Sequence, residues 1–475
     1  MSDRKTLSGE DRLDIYLIAI GGTGMAPIAC LLKQSGHRVR GADGPLYPPM
    51  STLLEQAGIV PLVGYDAAHL DPEPQLVVVG NAVPRSNPEA VRTEELGLER
   101  ISMPEALSRF FLDHRQPLVV AGTHGKTTTT SIAAWVYTDT DQDPGFLIGG
   151  VPHDLGRSFA CGSGERFIIE GDEYNAAYFD RGPKFLHYQP QTLILTSVEY
   201  DHADLYPTAE SLLEAYRALV RLLPDDGLLI AWGDSPEVRE VAAEAACRVV
   251  FYGLSADNHL HPLGPISEGA DGVRFTLADA EAGEVEVSLR LAGEHNALNA
   301  MAVWAAARAD RIAAADVAAA LDAFGGVRRR MDELGTVGGI TVVDDFAHHP
   351  TAVGSTIEAL RGRYRGRRLV VLFEPRSLTA GRAFLHQQYL DALAKADVAL
   401  LAPIFHRARL TSEECLDTAR LTDQLRELGV VAEAFEETEA LLESAIDRLQ
   451  PGDVIVTMSS GDFGSIPERL LAALG

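Results

Sequence analysis

Residues 118–128 constrain this chain more than any other stretch. The apolar run Leu118-Val119-Val120-Ala121 breaks directly into Gly122-Thr123-His124-Gly125-Lys126-Thr127-Thr128. A short buried strand, a glycine-rich turn, a lysine with threonines and then a helix is the build of a nucleoside-triphosphate phosphate cradle. Glycines let backbone N–H groups crowd onto phosphate oxygens, and the helix N-terminus adds partial positive charge. In that reading Lys126 neutralises the β/γ-phosphates and the Thr127 hydroxyl ligates Mg²⁺. The usual pattern has a glycine where this chain has Val120, so the loop is a shortened variant. The alternative, a solvated turn before an ordinary helix, does not explain why strand, loop and helix follow in that order. The expected ligand is ATP.

One core cannot serve 475 residues; at about 150 residues per domain the length implies roughly three. An apolar fraction of 46% marks a folded globular protein and excludes a disordered one. No apolar run approaches the ~18 residues of a membrane span. The polar start, residues 1–14, lacks the apolar segment of a signal peptide. Cys30, Cys161, Cys247 and Cys415 are scattered without CxxC spacing, which fits a reducing cytoplasm and argues against structural zinc. A formal charge of −27 argues against non-specific binding to nucleic acid or anionic lipid. Nucleotides are anions too, so the protein must concentrate positive charge and metal locally. Only five lysines occur (Lys5, Lys33, Lys126, Lys184, Lys395), leaving nearly all the cationic work to arginine.

Short β-rich runs alternating with helical stretches divide the chain into three α/β blocks. The first, 1–116, opens with a strand at 14–20, the turn Gly21-Gly22-Thr23-Gly24-Met25-Ala26 and a helix to about residue 35. Further strands fall at 37–41, ahead of Asp43, and at 76–79, ahead of Gly80-Asn81. The second block, 117–333, begins with the phosphate loop. It holds strands at 167–170 and 192–197, a polar β-leaning insert at 264–291 and a helix at 296–309. The third, 334–475, alternates helices with strands at 340–344, 368–373, 398–401 and 454–458, which implies a doubly wound sheet. Alanine-rich stretches at 313–323 and 433–445 read as surface helices.

Within the first block, Gly22 and Gly24 fit the first two places of a dinucleotide fingerprint, but Pro27 stands where the third glycine belongs. Asp43 lies where a ribose-binding acid sits in such sites. A nicotinamide enzyme is one reading, and a site for another pyrophosphate-bearing nucleotide is the other. The ATP loop favours the second, because a dehydrogenase has no need of ATP. In the second block Glu170-Gly171-Asp172-Glu173 ends one strand and Asp201-His202 follows the next. Oxygen and imidazole ligands converging there suit Mg²⁺, which takes few protein ligands and the rest from phosphate and water. Asn296 and Asn299 share a face at a helix start, where amides contact a purine base or cap the helix. Arg328-Arg329-Arg330, in so acidic a chain, points to an anion. Asp344-Asp345-Phe346-Ala347-His348-His349-Pro350 ends a strand of the third block, where carboxylates can orient Arg330, ATP ribose or a cationic substrate. The paired histidines suggest metal, but without further spaced ligands they read as packing or hydrogen-bonding groups.

In this order, Gly22-Thr23-Gly24-Met25, the phosphate loop, Gly293-Glu294-His295-Asn296-Ala297-Leu298-Asn299, and Asp344-Asp345 with His348-His349-Pro350 resemble the Mur ligase family over essentially the whole chain. Those ATP-dependent enzymes add amino acids to UDP-N-acetylmuramic acid in peptidoglycan synthesis. The resemblance implies a three-domain α/β architecture. A Rossmann-like UDP-binding domain (1–116) precedes a central P-loop ATPase-like domain (117–333) and a C-terminal, peptide-binding doubly wound α/β domain (334–475). ATP and Mg²⁺ are the implied cofactors. By motif match, Gly122, Thr123, His124, Gly125, Lys126, Thr127, Thr128, Asn296, Asn299, Arg330 and Asp345 go to ATP. Gly22, Thr23, Gly24, Met25, Asp43 and Asn81 go to the UDP substrate, and Thr127, Glu170, Glu173 and His202 to metal. Glu374, Arg376 and Ser377 go to the peptide, while Lys126, Glu170, His202, Arg330 and Asp345 carry the chemistry. Gly171 replaces the alanine common in the acidic motif. Some members carry a carbamylated lysine in the central domain, yet no lysine lies between Phe185 and Ala394 here.

Two branches of the family compete. One adds L-alanine to UDP-N-acetylmuramate; the other attaches the recycled tripeptide L-alanyl-γ-D-glutamyl-meso-diaminopimelate to the same acceptor. Tyr47-Pro48-Pro49-Met50-Ser51, Gly80-Asn81-Ala82, Glu173-Tyr174 with Tyr178-Phe179-Asp180, Lys184-Phe185-Leu186-His187-Tyr188 and Glu374-Pro375-Arg376-Ser377 resemble the tripeptide branch. A tripeptide with three carboxylates and a distal amine needs several cationic or hydrogen-bonding groups. In the third block Arg376, Ser377, Arg382 and His406 offer them. Arg330 and Asp345 lie near the second–third junction and Lys126 in the middle block, so domain movement is expected to assemble the site.

Overall fold

The apolar runs of the first block lie side by side in a computed structural model, which describes residues 12–475. Strands β1 (Asp14–Ile18), β2 (Arg38–Asp43), β3 (Leu62–Val63), β4 (Leu76–Val79) and β5 (Arg100–Ser102) form a parallel sheet in the order β3-β2-β1-β4-β5. The strand expected at 14–20 stops at Ile18 because Ala19 turns to φ 65. Strand order reverses direction between β1 and β4, which opens a crevice over the turns that follow them. The expected polar start at 1–14 falls almost wholly outside the described residues.

Strand β6 (Gln116–Ala121) leads into the phosphate loop and the helix Lys126–Asp139. With β7 (Gly145–Leu147), β8 (Phe159–Ala160), β9 (Arg166–Gly171), β10 (Thr192–Leu195), β11 (Leu228–Trp232) and β12 (Arg248–Tyr252) it makes a sheet of order β12-β11-β10-β6-β9-β7-β8. The register sets Ala121 beside Gly171 and Leu195, so the phosphate loop leaves the sheet between the two segments that carry the acids and His202. The β-leaning insert is an antiparallel sheet of β13 (Ser267–Gly269), β14 (Gly272–Asp279) and β15 (Gly283–Leu289).

The third sheet has β16 (Asp332–Val337), β17 (Ile340–Asp345), β18 (Leu369–Phe373), β19 (Val398–Leu401), β20 (Val431–Ala434) and β21 (Val454–Met458) in the order β16-β17-β21-β18-β19-β20. The alanine-rich stretch at 433–445 is not one helix. Glu433 and Ala434 close β20, and the helix is Thr438–Arg448, with Leu441, Leu442 and Ala445 buried. The other stretch forms the helix Ala314–Ala323, which buries Val317, Ala320 and Leu321 as an apolar stripe.

The two domain junctions differ in kind. One continuous apolar core joins the first body to the second through Leu107, Phe111 and Phe167, with the two phenylalanine rings 6.2 Å apart. The third body keeps its own core on both faces of its sheet. It meets the second through Thr351 Oγ1 to Glu199 Oε2 (2.6 Å), the Ala203 N–H to Thr379 Oγ1 (3.2 Å) and the Tyr200 and Phe384 rings, 6.1 Å apart, while Arg330, in the segment leading into β16, reaches Thr127 Oγ1 (2.9 Å). Opening an apolar junction exposes area at about 25 cal/mol per Å², whereas polar contacts exchange with water at small net cost. The third body shares no core cluster with the second among the described residues. Among the described residues no helix is long and apolar enough to cross a membrane.

Candidate active site

Two glycines shape the phosphate loop. Gly122 sits at φ +133 and Gly125 at φ +80, conformations that side chains rarely adopt. A Cβ on Gly122 would also stand 2.3 Å from Thr196 Oγ1, so close approach demands glycine a second time. The loop is pinned to the end of β10: the His124 N–H donates to Ser197 Oγ (2.9 Å) and Thr196 Oγ1 donates to the His124 carbonyl (2.5 Å).

Charged groups from four segments meet there. Lys126 Nζ lies 3.1 and 3.0 Å from the Glu173 carboxylate oxygens and donates to the Gly122 carbonyl at 2.5 Å. Glu173, only 1% exposed, also faces His202 Nε2 at 2.9 Å. Glu170 accepts from Thr127 Oγ1 at 3.1 Å and from the Gly149 N–H at 2.6 Å. Burial disfavours charge on Lys126, yet Glu173 and Asp172 hold its pKa above the ordinary value. Burial also disfavours charge on His202, and the hydrogen bond with Glu173 and the Asp201 charge outweigh it, favouring the imidazolium. Burial pushes the Glu170 carboxyl up, opposed by the Gly149 N–H, Arg330 and Lys126. The hard oxygens of Thr127 and Glu170, side by side at the loop, are the donor chemistry Mg²⁺ takes. Glu173 and His202 are bound to one another, and Glu173 also to Lys126.

The three consecutive arginines part company. Arg328 is exposed; Arg329 donates to Asp344 Oδ2 (3.2 Å) and the Ser459 carbonyl (2.9 Å); Arg330 alone reaches Thr127. Asp345 accepts from the N–H groups of Met331 (2.6 Å) and Ala347 (2.8 Å), which fixes the turn that aims Arg330. Burial raises its pKa, with the Arg330 charge opposing. Arg330 thus already touches the phosphate loop in this arrangement of the domains.

A cavity of about 460 Å³ opens beside the loop, lined by His124, Gly125, Thr128, Asn296, Asn299, Arg330 and Asp345. Asn296 donates to the Ala292 carbonyl (2.8 Å) and Asn299 to Asn296 Oδ1 (3.1 Å). No side chain caps the helix Glu294–Ala309, so the asparagines line the cavity instead. Sequence patterns missed Trp232, Tyr252 and Leu291, which give the cavity an apolar wall. They lie at strand ends and in loops with no motif of their own. His295, also missed, stands inside the Gly293–Asn299 motif; burial lowers its pKa to about 4 and keeps the ring neutral.

In the first body Gly22, Thr23 and Gly24 form the turn over the β1/β4 crevice, and exposed Asn81 follows β4. Met25 is buried at the start of the helix Met25–Gln34. Asp43 accepts from the N–H groups of Gly21 and Gly44, both at 2.7 Å, and from Tyr65 Oη at 2.9 Å. In the third body, register sets Asp345 and Phe373 on either side of Met458, so Asp345, Ser459 and Glu374 leave one sheet edge together. Glu374 is buried and accepts from Ser459 Oγ. Arg376 pairs with Asp462 (3.1 Å) and lies 4.1 Å above the Phe405 ring, and Ser377 Oγ accepts from the Ala380 N–H (3.0 Å).

Three domain families match the chain in succession: "Mur ligase family, catalytic domain" over residues 14–115, "Mur ligase middle domain" over 120–307 and "Mur ligase, glutamate ligase domain" over 329–461. The chain is 38% identical over 464 residues to the UDP-N-acetylmuramate–L-alanyl-γ-D-glutamyl-meso-2,6-diaminoheptandioate ligase of Escherichia coli K12, covering 97% of this chain and 98% of the relative. It is 36% identical over 469 residues to a UDP-N-acetylmuramate–L-alanine ligase of Paenarthrobacter aurescens, covering 97% of each. A crystal structure of a murein peptide ligase from Psychrobacter arcticus superposes with a TM-score of 0.73 at 33% identity, covering 98% of this chain and 99% of that one.

Proposed function

The chain belongs to the Mur ligase family, and from that membership we propose that it joins L-alanyl-γ-D-glutamyl-meso-diaminopimelate to UDP-N-acetylmuramate with ATP, reusing a peptidoglycan fragment. The observation that carries the reading is the convergence of Lys126, Thr127, Glu170 and Arg330 on the phosphate loop across the junction with the third body. Phosphoryl transfer from ATP forms a new O–P bond at the lactyl carboxylate of the muramic acid as ADP departs. The tripeptide α-amine then attacks the acyl carbon, loses a proton and displaces inorganic phosphate. The protein's part is positioning and charge compensation. Lys126 and Arg330 offset the phosphate oxygens; the Asn296–Asn299 pair and the apolar wall take the nucleoside. Bound Mg²⁺, held by Thr127 and Glu170, would neutralise phosphate charge.

Phosphate release, measured with a panel of amine donors, tests the reading. Release should require UDP-N-acetylmuramate and the tripeptide, with free L-alanine a poor donor; equal or better turnover with L-alanine overturns the donor assignment. Arg376→Ala should raise the tripeptide KM about tenfold, the scale of a lost charged hydrogen bond, and leave ATP binding unchanged.

A further inference from the structure

Apart from the Mg²⁺-type oxygens, His124, Glu199 and His349 each bring one ligating atom within 4.8 Å of the others. They come from the phosphate loop, from the segment after β10, and from the residue that precedes the helix Pro350–Arg363 of the third body. His124 Nε2 stands 3.3 Å and His349 Nδ1 3.8 Å from the same oxygen, Glu199 Oε2. The two imidazole rings lie 4.7 Å apart between centroids. His349 is 5% exposed, and its Nδ1 is buried with no hydrogen-bond partner. Buried ring nitrogens are rarely left unpartnered, and 3.8 Å is beyond hydrogen-bond reach. The spacing suits two ligands of one ion: with bonds of about 2.0–2.2 Å, tetrahedral ligand atoms stand about 3.3–3.6 Å apart. Thr351 Oγ1 donates to the same carboxylate oxygen at 2.6 Å, the kind of outer contact that orients a metal-binding carboxylate.

We propose that His124, Glu199 and His349 form a site for a borderline divalent cation of the Zn²⁺ type, distinct from the Thr127–Glu170 oxygens. Two imidazoles and a carboxylate select such an ion over Mg²⁺, which prefers an all-oxygen shell. His124 and Glu199 line the cavity, so the fourth position opens toward it. Because His349 belongs to the third body and the other two ligands to the second, the ion would tie the two bodies together.

The test uses the full chain, stripped of metal and free of nucleotide, titrated with Zn²⁺ by calorimetry. One equivalent should bind, and millimolar Mg²⁺ should not displace it. His349→Gln and Glu199→Gln should each weaken Zn²⁺ binding at least tenfold, while Thr127→Val should leave it within twofold. X-ray absorption of the Zn²⁺-loaded wild-type protein should show two imidazole ligands, a readout that needs no variant to fold. Absence of binding, retention of full affinity in both ligand variants, loss in Thr127→Val instead, or a spectrum without imidazole overturns the proposal.

Discussion

The turn after β1 and the turn after β6 are built alike, each carrying a buried parallel strand through glycines into a helix. In the first, Gly24 has an ordinary φ of −89, and a Cβ on Gly21 would meet only the movable end of the Leu46 side chain and the Asp43 carboxylate. The nearby acid, Asp43, is occupied by the backbone N–H groups of Gly21 and Gly44. In the second, Gly122 and Gly125 take positive φ and the helix opens on Lys126 and Thr127, with Glu170 and Glu173 facing them. The comparison separates two jobs that one motif can hold. The first turn faces a crevice with no cation beside its acid among the described residues, and in the proposed reaction it would take a pyrophosphate that is bound but not broken. The second adds cations and hard oxygens where charge must be compensated during transfer.

Lys126→Ala tests this separation with the largest effect. Ligation should fall at least 10²–10³-fold, roughly the cost of removing one preorganised charge-stabilising group, while UDP-N-acetylmuramate binding by calorimetry stays unchanged. Comparable loss of both would merge the two turns into one function. Glu170→Gln comes next: the Mg²⁺ concentration for half-maximal rate should rise about 10–100-fold, and an unchanged titration would move the metal elsewhere. Asp43→Asn should loosen the first turn and weaken UDP-substrate binding about tenfold, since hydrogen bonds to charged groups contribute about 1.5–3 kcal/mol. The KM for ATP should not move; if it does, the turns are coupled. The smallest expected effect is none. With no lysine between Phe185 and Ala394 to carbamylate, added bicarbonate should not change the rate, and stimulation would reveal a metal-holding group outside the set described here.

The phosphate loop was legible because its signal is local: glycine spacing, the following lysine and threonine, and the apolar run before them act within one strand–turn–helix unit. The same holds for the buried strands β1, β4, β10, β17, β18 and β21, whose burial between helices demands continuous apolar runs, but not for β3, whose two residues are exposed. The start of the segment at 433–445 was misread because alanine content reports helix propensity, while sheet pairing with β19 decided where β20 ended; its remainder lies in the helix Thr438–Arg448.

By itself, the sequence determined the three α/β bodies, the order of the two glycine-rich turns and the residue types at each. Local periodicity and turn chemistry require nothing from distant parts of the chain. Tertiary structure alone decided which of three adjacent arginines reaches Thr127, that Glu173 pairs with Lys126 and His202, and that Trp232, Tyr252 and Leu291 wall the cavity. It also set His349 against His124 and Glu199, whose numbers are far from its own. Coulomb and coordination energies depend on distances of a few ångströms, and those distances follow from strand register and domain docking rather than from spacing along the chain.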